Sequence, residues 1–220
     1  MSDLRVINRQ NTYSGVGEDD WVAARGNPRG ELISVDWYQQ LVLDGRVYQI
    51  NNAAIETATA ATTSFATNGT NPFIYVGVPS GTSIMPMEIR LTQGGSVANN
   101  AFTVLCAYED AALYSTGGSA VDVQNERTDA PNTSGCVAYT GATVTAPSDD
   151  RLLHGGIYSQ NVDDPDHADE SFFWSIRNSI APVLVGPASL LIYAYVGATA
   201  PSLWFRVSWW ECPTVNLKTS

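Results

Sequence analysis

Leu190-Leu191-Ile192-Tyr193-Ala194-Tyr195-Val196, then Gly197-Ala198-Thr199-Ala200-Pro201, then Ser202-Leu203-Trp204-Phe205-Arg206-Val207-Ser208-Trp209-Trp210, is the stretch whose reading decides the fold. The first run is apolar on both faces, as in a strand covered from both sides. In the second, Leu203, Phe205, Val207 and Trp209 alternate with Trp204, Arg206, Ser208 and Trp210, the period of a strand with one inner face. Trp204 and Trp210 then share one face, and Trp209 takes the other. Gly197–Pro201 is turn chemistry, so an antiparallel hairpin is expected. Such a hydrophobic pair is expected at the centre of a sheet or beneath another subunit.

The same pattern recurs toward the N-terminus. Phe73–Val78 is a compact apolar run stopped by Pro79-Ser80-Gly81. Met87, Ile89 and Leu91 alternate with Glu88, Arg90 and Thr92, and Phe102, Val104, Cys106 and Tyr108 alternate likewise. Glu31–Asp36 and Arg46–Thr57 are strand-like around a Leu43-Asp44-Gly45 turn, and Cys136–Val144 has strand character. Residues 110–135, rich in Ser, Gly, Asp and Asn, read as a long loop. Trp37–Leu43 admits one or two helical turns, and no other segment carries a helical stripe. There is no internal repeat and no low-complexity tract. Eight or more short strands separated by turns predict an all-β fold, an antiparallel β-sandwich of the jelly-roll type, as one domain over residues 31–220.

Residues 1–30 are polar, with Arg5, Arg9, Arg25 and Arg29 spaced among Asn, Gly and Asp, and Asn27-Pro28-Arg29-Gly30 closes them. Two readings stand: a frayed terminus, or an extended N-terminal arm that docks on a neighbouring subunit.

A chain of 220 residues buries roughly 70% of its unfolded surface, so the core needs neither disulfide nor metal. Charged residues make up only 15%, replaced by Asn, Thr, Ser, Gly and Ala. That mix suits a surface covered by neighbours, although extracellular β domains share it. The net charge of −11 repels phosphate backbones, which argues against nucleic acid as a partner. Ten arginines accompany one lysine, Lys218, and guanidinium groups pair carboxylates and stack on aromatics at interfaces. Cys106, Cys136 and Cys212 are odd in number and far apart, so they read as buried free thiols, not a zinc site or disulfide framework. No basic start followed by an apolar run occurs, so no secretory leader is expected. No stretch is long and apolar enough for a membrane helix, so no membrane partner is expected. The sequons at Asn68-Gly69-Thr70 and Asn132-Thr133-Ser134 then read as chance matches.

Few residues carry a chemical signature. Asp163-Asp164-Pro165-Asp166-His167-Ala168-Asp169-Glu170 has the oxygen ligands a calcium ion needs, but it lacks the EF-hand spacing and is stiffened by Pro165, and it reads as a solvated acidic loop. His154, in the turn-like Leu153-His154-Gly155-Gly156, and His167 are the only histidines, and no nucleophile elbow accompanies them. Gly94-Gly95-Ser96 and Gly117-Gly118-Ser119 lack the lysine of a phosphate loop. No catalytic residue, metal ligand or cofactor is assigned. Trp204, Trp209 and Trp210 with Tyr193 and Tyr195 fit sugar stacking, a core, or a subunit interface, where such residues are enriched. Interface residues are expected among Arg5, Arg9, Arg25, Arg29, Trp204 and Trp210.

The stretch Phe73-Ile-Tyr-Val-Gly-Val-Pro-Ser-Gly-Thr-Ser-Ile-Met-Pro-Met-Glu-Ile-Arg-Leu91 resembles tailed-phage virion proteins of the jelly-roll type. In those an apolar strand, a Pro-Ser-Gly-Thr turn and a second strand precede a Gly/Asn-rich loop. Gly45-Arg-Val-Tyr-Gln49 and Trp204-Phe-Arg-Val-Ser-Trp-Trp-Glu-Cys212 have the same character, so the likeness is one of style over about half the chain. It implies a non-enzymatic capsid decoration or minor capsid protein, assembled in the host cytoplasm and placed on the outer capsid surface. Its partners would be itself, as a homotrimer, and a capsid protein. Two alternatives share the fold: a receptor- or carbohydrate-binding module of a phage tail or fibre, and a glycan-active enzyme with two facing carboxylates.

Overall fold

The computed structural model describes residues 5–7, 21–23, 36–52, 57–61, 69–94, 102–158, 171–196 and 202–217. In chain order the elements are β1 (Arg5–Ile7), β2 (Trp21–Ala23), α1 (Trp37–Leu43), β3 (Val47–Asn51), β4 (Thr59–Ala60), β5 (Ile74–Val78), β6 (Thr82–Gly94) and β7 (Phe102–Glu109). Then come β8 (Tyr114–Thr116), β9 (Ser119–Val121), β10 (Gln124–Asn125), β11 (Val137–Thr140), β12 (Thr143–Val144) and β13 (Arg151–Tyr158). The chain closes with β14 (Ser171–Ser175), β15 (Leu184–Val185), β16 (Ala188–Tyr195), β17 (Ser202–Pro213) and a short 3-10 turn.

Two antiparallel sheets pack face to face. The first has the order β10-β3-β17-β6-β14, with β4 on β17 and β15 on β6; the second has the order β13-β7-β16-β5-β11-β9. Early strands pair with late ones in a nested series: β3 with β17, β5 with β16, β6 with β14, and β7 with β13. A long hairpin rolled up on itself gives this nesting, which is the jelly-roll form of the sandwich.

The alternating residues fill the space between the sheets. Leu203, Phe205, Val207 and Trp209 of β17, Ile89 and Leu91 of β6, and Leu190 and Ile192 of β16 belong to one buried cluster. Each such side chain contributes about 1.5–3 kcal/mol of burial free energy. Tyr75, Leu113, Leu191 and Tyr193 form a second cluster on the other side of the second sheet, beneath the segment carrying β8 and β12. This second layer explains why β16 is apolar on both faces.

The sandwich and the facing of Trp204, Trp209 and Trp210 match the expectation, but the closing hairpin does not. β16 and β17 do not pair: each is central in its own sheet, and the chain crosses between sheets from one to the other. His154-Gly155-Gly156 lies within β13 and not in a turn. The presumed loop 110–135 carries β8, β9 and β10. Within residues 1–30, β1 and β2 form an antiparallel pair joined to no other strand among the described residues. Arg5 lies in β1, whereas Arg9, Arg25, Arg29, the strand-like Glu31–Val35 and the acidic run 163–170 with His167 lie outside the described residues. Trp37–Leu43 is helical as expected, capped by Asp36, whose side chain accepts from the Tyr38 N–H at 3.0 Å. No helix among the described residues is long and apolar enough to cross a membrane.

Candidate functional site: the outer face of the first sheet

The side chains of β17 that turn away from the core meet their neighbours in rows across the first sheet. Trp204 stands opposite Thr92, which stands opposite Ser171. The next row is Asn51, Arg206, Arg90 and Phe173, and the one after it is Gln49, Ser208, Glu88 and Ser175. Trp204 remains 39% exposed and Phe173 is also exposed, so the face carries aromatic surface open to solvent. Trp210, on the same face, is half-buried.

Arg206 and Arg90 face each other directly, which alone would be repulsive. Glu88 resolves the conflict: its Oε1 accepts from Arg206 Nη1 at 3.1 Å and lies 3.8 Å from Arg90 Nε. Arg206 also donates from Nε to Gln49 Oε1 at 2.8 Å and from Nη2 to Glu126 Oε1 at 2.6 Å. One guanidinium therefore joins β3, β6 and the residue after β10 across the sheet. Arg90 lies over the Phe173 ring at 5.2 Å, a cation–π contact.

Residues of α1 and of the sheet together line an open cleft of about 530 Å³, among them Tyr38, Val42, Glu88, Glu126, Phe173 and Arg206. Arg177 holds the start of the helix, pairing with Asp36 at 3.3 Å and lying 4.6 Å over the Tyr38 ring. Trp37 stacks on the same tyrosine at 3.8 Å. Arg127 holds the other end by donating to the Leu43 carbonyl at 2.8 Å. Both carboxylates of the cleft, Glu88 and Glu126, are tied to the same guanidinium.

A second carboxylate site is structural. Glu211 is buried, and it accepts from Ser134 Oγ at 2.6 Å, the Gly135 N–H at 2.8 Å and Trp209 Nε1 at 3.4 Å. It thereby fastens the loop before β11 to β17. Burial pushes the thiols of Cys106 and Cys136 up from their ordinary range, with Glu211 adding to the effect at Cys136. All three cysteines are buried and free, as their spacing predicts. Among the described residues no three His, Cys, Asp or Glu side chains come together as a metal site.

Of the expected interface residues, Trp204 and Trp210 share the outer face of β17, near its two ends. Sequence reasoning missed Arg90, Phe173, Arg177 and Arg206 around them. Their signal was available in part, because Arg206 alternates with the two tryptophans on one strand. No protein-family model, no curated protein and no solved structure matches this chain.

Proposed function

We propose that this chain is a non-enzymatic structural protein of a virion, a phage capsid decoration or minor capsid protein that binds and stabilises the shell through subunit interfaces. The observation that carries the reading is the outer face of the first sheet. There Trp204, Phe173 and Trp37 are exposed beside Arg90, Arg177 and Arg206, and aromatic residues with Arg are the side chains enriched in interface cores. The jelly-roll strand order adds support, since this architecture recurs in viral capsid domains, though also in lectins. The charge of −11 fits the outer side of a shell better than one facing nucleic acid. In this reading the copies form a homotrimer, and Arg5, Arg9, Arg25 and Arg29 belong to an arm that docks on a neighbour.

The cleft beneath α1 favours a second reading, a carbohydrate- or receptor-binding module. It is the weaker one, because the Tyr38 ring is already stacked by Trp37 and Arg177. A sugar needs such faces open.

Light scattering on a sizing column tests the assembly reading, using the full chain and a version without residues 1–30. A trimer or larger species that weakens on removal of the arm is expected. A monomer in both cases contradicts self-assembly, and a glycan array then tests the second reading.

A further inference from the structure

Among the described sheet edges, β13 is the longest. The edge strands β9 and β10 are three and two residues long, and β14 has five, whereas β13 runs for eight. Long edges are normally protected by charge, proline or a covering segment, because their free N–H and C=O groups template another strand. Over its eight residues this strand has one charged residue, Arg151 at its start, and no proline, and it exposes Leu152 by 67% and Ile157 by 74%.

The strand is also self-complementary. Its pairing with β7 shifts register between Leu152 and His154, so one extra residue is accommodated there. Leu152, Gly155 and Ile157 stand opposite Ala107, Leu105 and Thr103, whereas His154 and Gly156 stand opposite Cys106 and Val104 of the core. Leu152 and Ile157 therefore point to the same outer face despite their odd spacing. A two-fold axis through Gly155 sets Leu152 of one copy against Ile157 of the other, twice. It sets His154 against Gly156, with each copy's extra residue opposite the other's glycine segment. Arg151, already paired with Asp110 at 3.4 Å, falls opposite Tyr158. No carboxylate lies on the strand, so two acidic chains approach here without like charges in register.

We propose that β13 is the interface between two copies of this chain, joined antiparallel about Gly155 into one continuous sheet. The partner is a second copy, because the exposed apolar side chains of this edge complement each other and leave neither uncovered. The proposal rests on the self-assembly part of the functional reading and names a contact for it, a two-fold that links copies independently of a trimer axis.

The test uses the full chain in two forms. Ile157→Lys and Leu152→Glu alter exposed side chains only, so circular dichroism and thermal unfolding should stay those of the unaltered protein. Sedimentation velocity should show self-association weakened about 100-fold or more in each, since every substitution acts twice across the axis. In the second form, Leu152→Cys with Ile157→Cys should give a covalent dimer on mild oxidation, because directly opposed residues come within disulfide reach. Association that survives both charged variants, with no covalent dimer, overturns this interface and leaves the assembly reading intact. A chain monomeric at every concentration, with no covalent dimer, overturns both.

Discussion

Replacing Arg206 by Met keeps the aliphatic stem on the sheet and removes the guanidinium. Three hydrogen bonds are lost, to Gln49 at 2.8 Å, Glu88 at 3.1 Å and Glu126 at 2.6 Å. A hydrogen bond to a charged acceptor nets about 1.5–3 kcal/mol when protected, and one to a neutral amide about 1 kcal/mol. The Arg206 side chain is 42% exposed, so water competes and about 1 kcal/mol per carboxylate is the appropriate scale. Two effects offset part of the loss. Arg90 no longer faces a like charge, and a long side chain regains rotamer freedom. The net cost is about 2 kcal/mol, which lowers Tm by about 4–8 °C for a chain of this size. Urea denaturation with an unchanged m value measures it. A double-mutant cycle with Glu126→Gln should give a coupling of about 1 kcal/mol, shrinking at high salt because the pair is only partly buried. A loss below about 0.3 kcal/mol, or no coupling, would refute the assignment of Arg206 as the tie across the sheet.

Other perturbations separate core from surface. Trp209→Ala removes a fully buried side chain and should cost about 3–5 kcal/mol, whereas Trp204→Ala on the outer face should cost under about 1 kcal/mol; equal losses in thermal unfolding would contradict the facing of β17. Asn52→Ala strands the Phe205 N–H, which donates to Asn52 Oδ1 at 2.6 Å, and the Leu203 carbonyl, which accepts from Asn52 Nδ2 at 3.2 Å. It should cost about 2–3 kcal/mol in urea unfolding, and a neutral result would place that side chain elsewhere. Burial raises the Cys106 and Cys136 thiols, so the folded chain keeps protons that the unfolded one sheds above about pH 8.5. Their contribution is full below that pH and falls above it by about 1.4 kcal/mol per pH unit for each thiol. A urea midpoint flat through pH 10 would show that these thiols are not buried.

Much of the fold is legible in the sequence because burial writes period two into it. Ile89 and Leu91 against Glu88 and Arg90, and Phe205 and Val207 against Trp204 and Arg206, are inner and outer residues of their strands as they stand. The connection from β16 to β17 is not legible in the same way. A tight hairpin and an arch between opposed sheets both use small and turn-forming residues, and only the distant partners β5, β7, β3 and β6 decide between them. His154-Gly155-Gly156 misleads for a related reason: glycines mark a turn locally, but here they lie in an edge strand next to a register shift. The outer-face cluster is legible only in part. Arg206 and Trp204 share a strand, but Glu126 meets Arg206, and Phe173 meets Arg90, only across the sheet, in contacts that no local pattern encodes.

The central claim is that this chain is a surface component of a virus particle. Immunogold labelling of intact particles, released from a host carrying the encoding genome, tests it most directly. The account predicts gold on the outside of the shell without disruption, and the chain among the purified particle's proteins in many copies. Unlabelled particles that lack the chain, with the protein left free in the lysate, would contradict it.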